Sequence, residues 1–441
     1  MYYLIETKDQ LERFFKDEGD ECYLQFITNN DEVHPKLQSL CALYIYSFSK
    51  EKGFVINIDH PEAFGLDLPI KYIKSYTNII VKEKIKALLY IPTLPYTDIQ
   101  SIYYLIKNEP LPPLPKTGTH TFYECKYGAN NVNKIIPLAK HYEAMEEEFN
   151  VIYPYILNYK SGESNRWYNE ILTPTLAKMV SEGFKINSTF QKHFNINEKF
   201  SINKDKIYGW YNFCTTTGRP TNNFNSVNFS ALKHDNGERG GFEANNDVLV
   251  EMDFEGYHPR IIARLSGGKL DEKESVHIQM AKMYFDTDEI STEMYKKSKE
   301  VTFQQMYGGI NKKYLKHEYF SKAQDFIDSL WDEFNQKGYV KTVIARRKLL
   351  KENYKNITPQ KLFNYYIQAF ETEYNITLLS RIFGLLEDKK SKMVLYVYDS
   401  MLFDFSLEDG RETLHSLQKL ISSDFPIKIK KGHTYSSLED L

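Results

Sequence analysis

Three stretches of this chain carry residue types that could do chemistry. In Val248-Leu-Val-Glu-Met-Asp253-Phe-Glu-Gly-Tyr-His-Pro-Arg260 a short apolar run ends on an aspartate, ahead of a Gly-Tyr-His-Pro turn. A carboxylate at the mouth of a strand and beside a helix start suits a divalent cation, although an aspartate there is also an ordinary turn former. Lys299, Phe303 and Tyr307 recur at i, i+4 and i+8 and so form one stripe of a helix. An ammonium can hold a triphosphate and an aromatic face can stack on a base. A core aromatic pair beside a solvated lysine satisfies the same spacing. Met393-Val-Leu-Tyr-Val-Tyr398-Asp399-Ser400-Met-Leu-Phe-Asp-Phe405 has two apolar runs around an Asp-Ser tip, a hairpin that presents Asp399. A structural turn aspartate fits that position too.

The elements that must position these residues follow from local pattern. Val248 to Met252 reads as a buried strand. Pro259 suits the first turn of the next helix, where its missing N–H costs nothing, and Ile261, Ile262 and Leu265 share its inner face. Gly267-Gly268 and Gly308-Gly309 are plausible helix stops. Upstream, Tyr23-Leu-Gln-Phe-Ile, Leu40 to Ser47 and Phe54-Val-Ile-Asn-Ile are strand candidates in an α/β pattern over residues 1 to about 110. The proline-rich 109–115 must be extended and reads as a boundary or strap. Residues 136–185 look helical, 188–210 polar and irregular, and 211–245 a loop region rich in Thr, Asn and Gly. The remainder carries the central strand, a mostly helical insertion and the hairpin.

A chain of 441 residues can hold two or three domains. Its net charge of −3 excludes a uniformly basic nucleic-acid coat but allows a local basic groove. The 4 cysteines include no Cys-x-x-Cys pair, which argues against a structural zinc. The first residues lack a basic-then-apolar signal, and no apolar run is long enough to span a bilayer. A soluble, cytoplasmic protein is expected, in the host cytoplasm if the source is viral.

Taken in order, these stretches resemble the polymerase motifs of family A DNA polymerases, the DNA polymerase I type, in a compact, phage-type form. Asp253-Phe-Glu-Gly-Tyr-His-Pro-Arg260 is similar to Asp-Tyr-Ser-Gln-Ile-Glu-Leu-Arg, and Lys299 to Gly308 to Lys-x-x-x-Phe-Gly-x-x-Tyr-Gly. Tyr398-Asp399-Ser400 takes the place of His-Asp-Glu. Thr215-Thr-Thr-Gly-Arg219 resembles Thr-x-Thr-Gly-Arg, and Asn225-Ser-Val-Asn228 resembles Asn-Leu-Gln-Asn. Gly338 to Arg347 is similar to Gly-Tyr-Val-x-Thr-x-x-Gly-Arg-Arg, and Pro426 to Tyr435 to the family's closing strand.

The resemblance implies an α+β multidomain fold, a right-hand palm and fingers with a vestigial thumb, preceded by an RNase H-like α/β exonuclease-type domain. The boundaries it suggests are 1–150 for the exonuclease-like domain, 151–210 for a helical connector and vestigial thumb, 211–265 and 346–441 for the palm, and 266–345 for the fingers. It implies that Asp253 and Asp399 hold two Mg²⁺ ions, with Mn²⁺ able to substitute. Lys299 would grip the triphosphate and protonate the leaving pyrophosphate, while Phe303 and Tyr307 line the nucleotide pocket. Arg219 and Asn228 would contact primer or template. Arg346 and Arg347 are further candidate strand contacts or a surface basic pair. Implied partners are primer-template DNA, dNTPs and a processivity or replisome protein.

The chain departs from the family pattern in several places. His258 stands where the family has a Glu that excludes a ribose 2′-hydroxyl, so a ribonucleotide-tolerant or RNA-synthesising enzyme is the alternative. Tyr295 replaces a fingers Arg, with Lys296 and Lys297 near enough to share the phosphates. The stretch between Asn187 and Thr215 is far shorter than the family's thumb. Leu24 to Thr28 and Lys82 to Lys86 lie where exonuclease carboxylates belong, and His141-Tyr142-Glu143 lacks the third-site spacing. Asp98 alone cannot make a two-metal site, so no proofreading is expected. A non-catalytic nucleic-acid-binding scaffold is the remaining alternative.

Overall fold

The computed structural model describes residues 3–16, 19–29, 33–112, 136–157, 162–194, 201–223, 226–233 and 237–441. Part of the proline-rich stretch, 113–115, and Asn225 lie outside them. The chain divides into two compact units: 1–183 with 196–211 and 222–227, and 184–195 with 212–221 and 228–441.

The first unit is built on a six-stranded sheet. Its strands are β1 (Leu4–Ile5), β2 (Glu21–Thr28), β3 (Leu40–Ser47), β4 (Lys52–Asn57), β5 (Asn78–Val81) and β6 (Tyr96–Asp98), in spatial order β1-β4-β3-β2-β5-β6. β2, β3 and β4 form an antiparallel meander, and β1, β5 and β6 add in parallel. Successive residues alternate between two cores because strand side chains alternate in direction. Cys22, Leu24, Leu43, Ile45, Ile79 and Val81 belong to one. Tyr23, Ala42, Tyr44 and Ile80 belong to the other, where α2 (Leu138–Leu157) contributes Met145, Phe149 and Ile152. α1 (Ile99–Lys107) starts at Asp98, whose side chain accepts from the Ser101 N–H and hydroxyl and from the Lys84 N–H.

The second unit centres on a five-stranded antiparallel sheet. Its middle strand is β7 (Val248–Phe254), followed by α3 (Tyr257–Ser266), α4 (Val276–Phe285), α5 (Thr292–Gly308) and α6 (Glu318–Lys337). A small hairpin, β8 (Tyr339–Lys341) and β9 (Lys348–Leu350), leads to the long α7 (Pro359–Leu385). β10 (Lys392–Val397), β11 (Ser400–Phe405), α8 (Gly410–Ile421), β12 (Ile427–Gly432) and β13 (Glu439–Asp440) complete it, with sheet order β10-β11-β7-β12-β13. Gly256, at φ +58°, makes the turn from β7 into α3, and a Cβ there would meet Val276 at 2.6 Å. Glycine is therefore required both for the left-handed backbone and for the approach of α4. Leu330 and Phe334 of α6 pack with Leu362 of α7 and with Val340 and Leu349 of the hairpin.

One local expectation shifts. The hairpin loop is Tyr398-Asp399, not Asp399-Ser400, since Ser400 already pairs with Val397 and with Asp253. Tyr398 takes the left-handed turn position itself, at φ 59°. Asn375 of α7 offsets that strain by donating to the Tyr398 carbonyl at 2.8 Å.

Candidate active site

Strand register brings the two aspartates together. Asp253, at the end of β7, lies opposite Ser400 on one side and Lys428 on the other, and the Phe254 N–H donates to the Asp399 carbonyl at 3.1 Å. Both aspartates line a cleft of about 400 Å³, shared with Arg219, His258, His277, Lys299, Phe303, Tyr307, Glu371 and Lys428. Burial, then the charges of Asp399 and Glu251, push the Asp253 carboxyl up to about 7, against the opposing pull of Lys430 and Lys428. Glu251 is two residues back on the same face and accepts from the Ser400 hydroxyl at 3.1 Å. Among the described residues no group of three or more His, Cys, Asp or Glu side chains is arranged to hold a metal, so the carboxylates facing the cleft act as a pair.

The predicted stripe is present and faces the cleft. α5 starts at Ser291, whose hydroxyl accepts from the Met294 N–H, and ends at Gly309, φ +108°. It is held to α4 by Ser298 donating to the His277 carbonyl at 2.9 Å and by Tyr284 donating to Thr302 at 3.0 Å. Lys299 lies over the Tyr295 ring at 4.7 Å, and the rings of Phe303 and Tyr307 are 4.4 Å apart. Phe303 is 65% exposed, so it is an open platform and not a core residue. Lys296, expected to share the phosphate end, is exposed and does not line the cleft.

His258 sits in the first turn of α3 between two partners. Its Nδ1 is 2.5 Å from the Tyr307 hydroxyl, and its Nε2 is 2.9 Å from Glu371 Oε2. The other Glu371 oxygen accepts from Arg219 at 2.8 Å. The Arg219 guanidinium lies over the Tyr398 ring, 3.5 Å from its centroid. Burial alone would raise the Glu371 carboxyl, but the hydrogen bonds and charges of His258 and Arg219 hold it below its ordinary value. Burial and then Glu371 push the Tyr307 hydroxyl up to about 12, so it keeps its proton.

Sequence reading missed four members of this group. Glu371 and Asn375 lie on a helix whose interior is otherwise apolar on most sides, and a carboxylate inside such a helix must be paired. That mismatch was the available signal for Glu371. Lys428 alternates with Lys430 along β12, which marks a cationic face by the period of two. His277, which burial and the Lys299 ammonium hold below its ordinary value, has no comparable signature in the sequence.

The candidate strand contacts separate. Asn228 is exposed, accepts from Ser230 at 2.7 Å and does not line the cleft. Arg346 is exposed at φ 56°. Arg347 is 2% exposed and donates to the Thr216 carbonyl at 2.8 Å, so it braces the loop that carries Arg219 and is no part of a surface pair.

In the first unit, the positions where carboxylates belong hold other chemistry. Gln25 donates to the Tyr23 hydroxyl at 2.6 Å, Lys82 pairs with Glu148 at 2.9 Å, and the Lys84 ammonium donates to the Asn169 carbonyl at 2.7 Å. Asp98 is committed to capping α1, and burial pushes it up to about 6.

No protein-family model matches the chain. In sequence it is similar to DNA polymerase I of Borreliella burgdorferi, 23% identical over 249 residues, which is 49% of this chain and 27% of that protein. It is also similar to the thermostable DNA polymerase I of Thermus aquaticus, 20% identical over 212 residues, 41% of this chain and 25% of that protein. The chain thus matches about a quarter of the length of these relatives. Among solved structures, the POL domain of Pol1 from M. smegmatis, in complex with DNA primer-template and dNTP, superposes with a TM-score of 0.72 at 14% identity, covering 99% of each chain. By sequence relationship and by fold, the chain is of the DNA polymerase I type, family A.

Proposed function

We propose that this protein is a primer-dependent, template-directed DNA polymerase that adds deoxynucleoside triphosphates to a 3′-hydroxyl. The observation that carries this reading is the convergence of Asp253, Asp399 and Lys299, far apart in sequence, on one cleft. Residues 211–265 and 346–441 then act as the palm and 266–345 as the fingers, with 1–150 exonuclease-like and 151–210 a connector.

The residues present fit a divalent cation. Asp253 and Asp399 face one another closely enough for Asp399 to raise the Asp253 carboxyl, a repulsion that Mg²⁺ or Mn²⁺ would relieve. When bound, such ions lower the pKa of the primer hydroxyl and neutralise the phosphates. Asp253 and Asp399 would hold them. Lys299, with Lys428 and His277 nearby, holds the triphosphate and is placed to give a proton to the leaving pyrophosphate. Phe303 stacks on the base, Tyr307 and His258 flank the sugar, and Arg219 contacts the primer-template. Exposed Arg346 is available to a phosphate, and Asn228 touches the strand outside the cleft.

The first unit performs no 3′–5′ excision, because Gln25, Lys82 and a cap-bound Asp98 cannot replace a set of metal-binding carboxylates. With a vestigial thumb, the grip on duplex is weak and salt-dependent unless a processivity partner supplies it.

The test is primer extension with deoxynucleotides and Mg²⁺ or Mn²⁺ on matched and mismatched primer ends. Wild type extends and does not excise, and Asp399→Ala binds primer-template without extending it. A wild-type protein that binds DNA but incorporates nothing with either ion would leave a non-catalytic scaffold as the reading.

A further inference from the structure

Glu371 stands behind the cleft, 1% exposed, and its two oxygens point to two different site residues. It is 113 residues from His258 and 152 from Arg219 in sequence, so only the fold joins them. The chemistry of this trio fixes where the hydrogens are. A guanidinium has donors only, so Arg219 donates to Oε1 at 2.8 Å. An ionised carboxylate has acceptors only, so the hydrogen between Oε2 and the imidazole belongs to His258 Nε2. In a neutral imidazole the other nitrogen then carries a lone pair. Nδ1, 2.5 Å from the Tyr307 oxygen, accepts the Tyr307 hydroxyl hydrogen, the only one that phenol has.

Tyr307 lies beside Phe303 on α5 and within reach of the charge on Asp399. A nucleotide with its base on Phe303 and its phosphates toward Lys299 and Asp253 therefore lays its sugar along Tyr307 and His258. We propose that Glu371 is a positioning residue that sets the His258 tautomer and thereby keeps the Tyr307 hydrogen on Nδ1. The cleft then offers no hydroxyl donor there to a ribose 2′-oxygen, and deoxynucleotides are preferred. This rests on the polymerase reading of the cleft.

Glu371→Gln tests it with almost no change of shape. Arg219 still needs an acceptor, so the amide oxygen faces Arg219 and the amide NH₂ faces His258 Nε2. That nitrogen must become the acceptor, the ring hydrogen moves to Nδ1, and Nδ1 now donates to the Tyr307 oxygen. The Tyr307 hydrogen is released into the cleft, where it can bond a 2′-hydroxyl. The first readout is ¹⁵N NMR of the full chain at pH 8, with the His258 signals identified by their loss in His258→Asn. Wild type is expected to show the Nε2–H tautomer, and E371Q the Nδ1–H tautomer. The second readout is kcat/KM for ribo- against deoxynucleotides. The ratio should rise roughly fivefold in E371Q, the effect of one neutral hydrogen bond, and return to the wild-type level in E371Q/Y307F.

A wild-type His258 that is Nδ1–H or doubly protonated overturns the proposal even if E371Q fails to fold. So does a tautomer that changes in E371Q while the ratio stays put, or a raised ratio that survives Tyr307→Phe. If no protein incorporates any nucleotide, the polymerase reading fails, and the tautomer pair still decides whether Glu371 positions His258.

Discussion

Replacing Asp253 with Asn should stabilise the metal-free protein while destroying its response to Mg²⁺. The carboxyl is pushed up to about 7 in the folded chain, first by burial and next by Asp399 and Glu251. Against an ordinary value of about 3.9 this is roughly 3 units, or about 4 kcal/mol at 1.36 kcal/mol per unit. Partial exposure at the cleft and solvent screening cut that to about 2 kcal/mol. The sign follows from proton binding. The folded state holds this proton more tightly than the unfolded one, so stability is greatest below about pH 4, falls as pH rises through 7, and is then flat. Asn cannot ionise and escapes the loss.

Thermal unfolding of wild type and Asp253→Asn with a chelator present, at pH 5, 6.5 and 8, measures this directly. At pH 8 the variant should melt roughly 4–8 °C higher, the gap closing toward pH 5. Adding Mg²⁺ should raise the wild-type melting temperature and leave the variant unmoved, because a ligand stabilises only the state that binds it. An Asp253→Asn protein no more stable than wild type at pH 8 without metal would refute the claim that the two carboxylates repel across this cleft.

Two further substitutions separate support from chemistry. Arg347→Ala should destabilise the chain by about 2–4 kcal/mol in urea unfolding, because it empties a buried site and leaves the Thr216 carbonyl without its donor. Arg346→Ala should change stability by no more than about 0.5 kcal/mol and instead shallow the salt dependence of primer-template binding. Lys299→Ala, at an exposed position on the cleft wall, should raise the nucleotide KM by about tenfold and lower kcat, with an unchanged melting temperature. A lowered melting temperature with normal kinetics would make the lysine structural.

What the sequence reveals about this site is what local periodicity can carry. The stripe Lys299, Phe303 and Tyr307 is legible because helical geometry alone puts i, i+4 and i+8 on one face. Asp253 is legible because a strand, a Gly turn and a proline-started helix follow one another without interruption. Lys296 shows the limit. It lies within a turn of Lys299, but its direction around α5 takes it out of the cleft, and only the packing of α5 on α4 fixes that direction. The Tyr398-Asp399 loop shows another. Two-residue hairpin loops normally put Gly or Asn at the left-handed position, so a tyrosine there is read one residue out of place. What holds Tyr398 in that conformation is Asn375, on an element with no local relation to the hairpin.

The same helix accounts for most of what local pattern leaves out. Glu371 and Asn375 are four residues apart, so they share one face of α7, and between them they hold His258, Arg219, the Tyr257 hydroxyl and the Tyr398 carbonyl. Glu373, two residues from each, faces away from that side and accepts from the Ile344 and Ala345 N–H groups, fixing the turn before Arg346 and Arg347. Such groups are costly to bury unless each finds its partners, and here each does. A carboxylate in this helix therefore cannot be exchanged for an apolar residue without freeing a donor in the loop it serves. The polar residues of α7 transmit one rigid register to the loop of Arg219, the start of α3, the hairpin of Asp399 and the arginine turn at once, which is why the cleft can be assembled from segments that carry almost no local signal of meeting.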